Sequence, residues 1–252
     1  MRYVVVIAVM ASLIIGCKQQ SDHSNDTKAG GASRIEPAAQ IKPPFSKNEW
    51  RAAFKKSAEF SEEKPTEDGT KEYTACFYRV DPKNCPAFAF GTYDAFKKAD
   101  ILSPANSQLK SIANAFTTVK VSVVALECKT PKIVVNPFLN QREWIFMHQL
   151  AIMVDGAVVL QHSFDKSGIK RETNGNRVYE SASFIPDDQE IDGLRRVASA
   201  TTPIIIRVTG DRGYLTLPKD ETKAIKEAIG EALLIHEKLT QHLAEAGGPV
   251  CD

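Results

Sequence analysis

The sequence predicts an α+β fold: an antiparallel-rich sheet with a central hairpin at about 144–164, covered by helices, and a long C-terminal helix. Three observations carry this. Asp155-Gly156 sits between two apolar runs, most strand-like segments fall together between residues 117 and 217, and an amphipathic segment of helical period closes the chain at 219–246. Strands that follow one another with helices segregated before and after them indicate α+β rather than alternating α/β.

The elements follow in chain order. Folding is expected to begin near Phe45, with Ser46 capping a short helix that carries Trp50, Ala53, Phe54 and Ala58 at helical spacing. Residues 61–71 are charged and interrupted by Pro65 and Gly69, so they read as a loop before a strand at 73–80. Short helices are expected at 92–99 and after Ser103-Pro104, the second carrying Leu109, Ile112 and Ala113. Val119, Val121, Val123 and Ala125 alternate as in a strand, and 133–135 reads as a shorter one. Asp-Gly between apolar runs is a type I′ turn signal, so Val154 should pair with Ala157. That turn fixes the register and makes both faces of the hairpin apolar, which predicts cover on both sides. A turn-rich stretch precedes a strand at 177–184, a helix from Asp187 to about residue 199, a buried strand at 203–209 and a return strand at 214–217. Ile225, Ala228, Ile229, Ala232, Leu233, Leu239 and Leu243 form the apolar stripe of the closing helix, which Gly247-Gly248-Pro249 ends.

Ahead of this domain lies a different kind of sequence. Arg2 is followed by an apolar run at 4–15, then by Gly16 and Cys17. About 12 residues cannot span a hydrocarbon core, which needs about 20. The run fits the apolar core of a secretory signal peptide. The ending Ile14-Ile15-Gly16-Cys17 resembles the bacterial lipoprotein lipobox, with Ile14 in the place where leucine is usual. The resemblance covers residues 1–17 alone. It implies cleavage before Cys17 and acylation of that cysteine. Two or more acyl chains hold a protein stably at a membrane where one does not. Lys18, rather than Asp, follows the cysteine, which in Gram-negative members points to the outer membrane, facing the periplasm. Residues 17–44 are polar and rich in Ser, Gly, Ala and Pro, too poor in apolar groups to fold. They read as a tether with a mean reach of about 30 Å. The expected organisation is therefore a signal peptide at 1–16, a tether at 17–44 and one globular domain at 45–252.

Composition narrows the function classes. Removing the signal takes Arg2 with it and brings the formal net charge of +1 to about zero. That gives no basic excess for nucleic acid. Trp50, Trp144, Phe146, Tyr179 and Tyr214 do not interleave with a basic stripe, so they read as core rather than as a base-stacking platform. Apart from Cys17, the cysteines are Cys76, Cys85, Cys128 and Cys251, an even number that suits an oxidising compartment. Three pairings are open. A bridge across the Asp81-Pro82 turn favours Cys76 with Cys85, which leaves Cys128 for Cys251.

The chemistry-bearing motifs are incomplete. His236-Glu237 is followed at the HExxH position by Thr240, and His242 is six residues from His236, about 240° around a helix. The Asp-Gly register puts His148 and His162 on opposite faces of the hairpin, so they are not expected to share a metal ion. Two Ser-x-x-Lys segments, at 107–110 and 167–170, lack the companion Lys-Thr-Gly. No cofactor motif or metal-ligand set emerges, and no catalytic residue is assigned. One constellation remains. Arg207 interrupts an apolar strand, with Arg212 and Tyr214 in and beyond the adjoining turn. A buried arginine needs an acceptor, and Glu143, Glu172 and Glu180 are the candidates.

The resulting expectation is a lipid-anchored, non-catalytic envelope protein whose periplasmic domain binds another protein, in an accessory, assembly or immunity-type role. The alternatives are a binder of small anionic ligands or envelope polymer through Arg207, and an envelope hydrolase with an unrecognised site.

Overall fold

The computed structural model describes residues 46–78, 84–105, 117–248 and 251. The expected signal peptide and tether, with Cys17, lie outside the described residues, as do Phe45, the Asp81-Pro82 turn and the helix expected around Leu109, Ile112 and Ala113.

Among the described residues, three helices and thirteen strands form an α+β domain. Helix α1 (Lys47–Lys56) starts where the sequence places it. Ser46 accepts from the Glu49 backbone N–H, and the Glu49 carboxylate accepts from the Ser46 N–H. Strands β1 (Glu59–Phe60) and β2 (Lys64–Pro65) then pair with β3 (Lys71–Phe77), so the expected loop at 61–71 contains a short strand. The helix expected at 92–99 does not form. β4 (Ala87–Asp94) and β5 (Ala99–Pro104) form a hairpin instead; Pro104 ends β5, and Ala105 after it is helical. Thr92, Tyr93 and Asp94 pair with Ile101, Asp100 and Ala99, and that ladder overrides the helical spacing.

β6 (Thr118–Leu126) and β7 (Lys132–Gln141) follow, the second extending well beyond the short strand expected. β8 (Met147–Val154) and β9 (Ala157–Ser163) make the Asp-Gly hairpin. Asp155 and Gly156 adopt φ of 51° and 80°, as a type I′ turn requires, and Val154 pairs with Ala157. β10 (Lys170–Asn174) is an additional strand in the turn-rich stretch, and β11 (Arg177–Ser181) follows it. Helix α2 (Asp188–Ser199) begins behind an Asp187–Glu190 capping box. β12 (Ile205–Gly210), β13 (Gly213–Thr216) and α3 (Lys219–Ala246) complete the domain. Ile235 joins the buried stripe of α3, while Leu233 sits at its margin.

Two antiparallel sheets result. One runs β1-β3-β4-β5-β6-β7-β11-β10, with β2 also on β3; the other runs β13-β12-β8-β9. Helix α3 lies against β6 and its neighbours, touches β12, and packs beside α2, which covers β9 and β8. The helices thus seal one side of both sheets over a shared apolar core.

The hairpin departs from its expected register. Ile152 pairs with Leu160 and Met153 with Val158, so Val159 is an extra residue in β9. The slip moves Leu160 onto the face of Ile152 and sets His162 opposite Leu150, not Gln149. One face of β8 is then buried, through Leu150, Ile152 and Val154, and the other is only half-buried. Cover by helices is on one side.

Candidate functional site

The uncovered side of the four-stranded sheet carries the arginine constellation. On β12 the residues alternate. Ile204, Ile206 and Val208 point into the core, while Ile205 and Arg207 are exposed. Arg207 is therefore not the buried cation that the apolar run suggested. A strand covered on one side alone sends every second residue to solvent.

Register arranges this face in rows. Val158, Met153 and Ile205 lie across β9, β8 and β12 in one row. Gln161, Ala151, Arg207 and Thr216 form the next, reaching β13. Ser163, Gln149, Thr209 and Tyr214 form the third. Val158, Ile205 and Tyr214 are 51%, 44% and 64% exposed, which makes this face the richest in uncovered large apolar groups among the described residues. The Arg207 guanidinium stands 4.3 Å from the Tyr214 ring centre. A cation over an aromatic face is attracted by the ring quadrupole.

A second arginine–aromatic pair adjoins the first. Arg212 lies 4.7 Å from the Phe146 ring centre, and Arg171 approaches the same ring at 5.5 Å. Trp144 sits 6.3 Å from Phe146. The segment 145–147 is held by Glu180, whose buried carboxylate accepts from the N–H groups of Ile145, Phe146 and Met147 at 2.9, 3.0 and 2.7 Å. Arg171 Nε donates to the same carboxylate at 3.3 Å. On the other side, the N–H groups of Asp211 and Arg212 donate to the carbonyls of Phe146 and Ile145. Phe146 takes φ of 55°, an uncommon backbone for an aromatic residue, and this double clasp holds it there. Gly210 lets the segments meet, since a Cβ there would run into the Ile145 carbonyl.

Glu180, a candidate partner for Arg207, thus belongs to Arg171 and the 145–147 backbone, and Glu143 and Glu172 are exposed. Arg207 and Arg212 make no ion pair among the described residues. Arg207 meets Tyr214, whereas Arg212 meets Phe146, with Arg171 on the same ring and Trp144 beside it; the sequence reading places Phe146 and Trp144 in the core and leaves Arg171 unassigned. No local signal marks Phe146 or Arg171, because the contacts of Phe146 with Arg171 and Arg212 join segments far apart in the chain.

The histidines have separate environments. His148 is an extra residue of β8 opposite the Thr209–Gly210 step, and its Nε2 is 3.9 Å from Asp211. His162 stacks on Phe184 at 3.8 Å and shares a 2.7 Å hydrogen bond with Glu190. It is thus these partners, rather than an opposition set by an uninterrupted register, that distinguish the two. His236 donates from Nε2 to the Pro131 carbonyl at 3.1 Å, and burial pushes its pKa down. Among the described residues no three His, Cys, Asp or Glu side chains converge as a metal site. Cys76 is bonded to Cys85 and Cys128 to Cys251.

Elsewhere, Asp100 is buried beneath α1, accepting from Tyr73 at 2.7 Å and from Arg51 at 2.6 Å. Burial raises its carboxyl pKa in spite of Arg51. Arg51 lies 3.7 Å over the Tyr93 ring, so this network is closed upon itself. Comparison with protein families, curated proteins and solved structures returns no match.

Proposed function

We propose that this chain is a lipid-anchored envelope protein without catalytic activity, and that its domain binds another protein through the uncovered face of the four-stranded sheet. The observation that carries this is the placement of two guanidiniums, Arg207 and Arg212, against the exposed ring of Tyr214 and the half-buried ring of Phe146. Arginine and aromatic residues dominate the energetics of protein interfaces, because they combine large contact area with directed hydrogen bonding. The charge selects a partner that presents carboxylates over an apolar patch. An open sheet face favours a protein over a small anionic ligand, which requires a concave site.

The address rests on the lipobox resemblance at Cys17, on Lys18, and on two disulfides suited to an oxidising compartment. No helix among the described residues is long and apolar enough to cross a membrane.

Affinity capture from an envelope extract tests the reading. The oxidised full chain should retain one protein near stoichiometrically. The double variant Arg207→Glu, Arg212→Glu should retain it at least tenfold less, since desolvated charge pairs contribute about 1.4 kcal/mol or more. Both side chains are exposed, so the variant keeps the fold. Recovery of nothing above a mock column, or equal recovery by the variant, would overturn it.

A further inference from the structure

The turn between β4 and β5 has a feature the protein-binding face does not use. Phe96 at its tip is 93% exposed, the most exposed large apolar side chain among the described residues. Lys97 and Lys98 follow it directly, and with Lys47, Lys129 and Glu127 they line a cleft of about 250 Å³. That volume admits a phosphate group but falls below the range of ordinary organic-ligand pockets. The turn is built rather than slack. Asp94 accepts from the backbone N–H groups of Phe96 and Lys97, both at 3.0 Å. Lys97 pairs with Asp94 at 3.1 Å and Lys98 lies 4.0 Å from Glu127, while Lys47 and Lys129 have no ion pair among the described residues. Lysine therefore remains in excess around the cleft.

Lys47 is the first residue of α1, so the chain that leads back to Cys17 joins the domain at the rim of this cleft. We infer that the 95–98 turn docks on the anionic bilayer surface that holds the lipid anchor, with Phe96 entering the interface and Lys47, Lys97, Lys98 and Lys129 meeting phospholipid phosphates. An exposed aromatic ring amid lysines matches both layers of such a surface: the ring partitions to the acyl boundary, and the ammonium groups stay with the headgroups. Docking here orients the domain and adds a contact to the acyl chains. Orientation of the domain by this docking rests on the lipid-anchor reading of Cys17.

The test uses the full chain carrying Phe96→Trp, with vesicles of phosphatidylglycerol and phosphatidylethanolamine bearing brominated acyl chains. Trp50 is fully buried and Trp144 half-buried, so the unsubstituted chain supplies the background. Emission from the introduced indole should shift to the blue and be quenched on these vesicles but not on phosphatidylcholine. Lys47→Glu with Lys129→Glu should weaken docking about 25-fold or more, taking about fivefold per lysine. Flotation with the vesicles while the introduced indole stays unquenched would overturn the docking and leave the anchor intact. Quenching that persists in the lysine variant or on phosphatidylcholine would overturn the role of charge. An unmodified N-terminal mass would overturn the anchor alone, because the indole at the turn then reports docking by the turn itself.

Discussion

His236 shows how a single residue trades a catalytic appearance for a structural task. Its position before Glu237 suggests a zinc helix, yet its ring is spent on the Pro131 carbonyl, fastening α3 to the β6–β7 connection. Burial disfavours the charged imidazole, and the carbonyl and Glu237 only partly offset that. With the folded pKa below the unfolded value of about 6.5, the unfolded chain binds the proton more readily. Stability from this group is complete above that pH and is lost as pH falls through it. The melting temperature should therefore drop more steeply between about pH 7 and pH 5 in the native chain than in His236→Gln, as differential scanning fluorimetry would show. Equal slopes would assign the acid sensitivity to other groups.

At the level of elements, the contact between α2 and β9 decides the shape of the smaller sheet. The extra residue Val159 turns its carbonyl toward Gly193, and a Cβ on Gly193 would run into that oxygen. Glycine costs helix stability, about 1 kcal/mol against alanine, so its place in α2 reflects this close approach. Gly193→Ala gains propensity but forces helix and strand apart. A net loss of about 1–3 kcal/mol is expected by denaturant titration; a gain would mean that the contact relaxes freely. The same bulge moves His162 and Leu160 onto the face of Leu150 and Ile152, while Val158, on the turn side of it, keeps its place opposite Met153 in the exposed row with Ile205.

For the molecule as a whole, the disulfides act over different lengths of chain. Cys76 and Cys85 are 9 residues apart and Cys128 and Cys251 are 123 apart. In the chain-entropy account, the short loop contributes about 3 kcal/mol and the long one about 5. The long bridge ties the end of the chain, beyond α3, to the turn after β6, and so constrains the helix that spans both sheets. Cys251→Ser should lower stability more than Cys85→Ser, by about 2 kcal/mol in chemical denaturation. The reverse order would show that the unfolded chain is already compact around the C-terminal helix.

Residue order alone was enough for the local features. The cap at Ser46, the helix start at Asp187, the Asp-Gly turn, the closing helix and the α+β class follow from residues within a few positions of one another, where hydrogen-bond geometry and periodicity act directly. The lipobox resemblance at Cys17 is likewise a local pattern. The remaining features needed the folded chain. Whether 92–99 forms a helix or a hairpin depended on neighbouring strands, whose pairing outweighs weak propensity. Arg207 reads as buried because apolar neighbours surround it in sequence, but burial is a property of what packs above a strand, and only one side of β12 is covered. Phe146 and Arg171 are joined through Glu180, across segments that no short window of sequence brings together, since a carboxylate finds three backbone donors only when the chain has already folded around it.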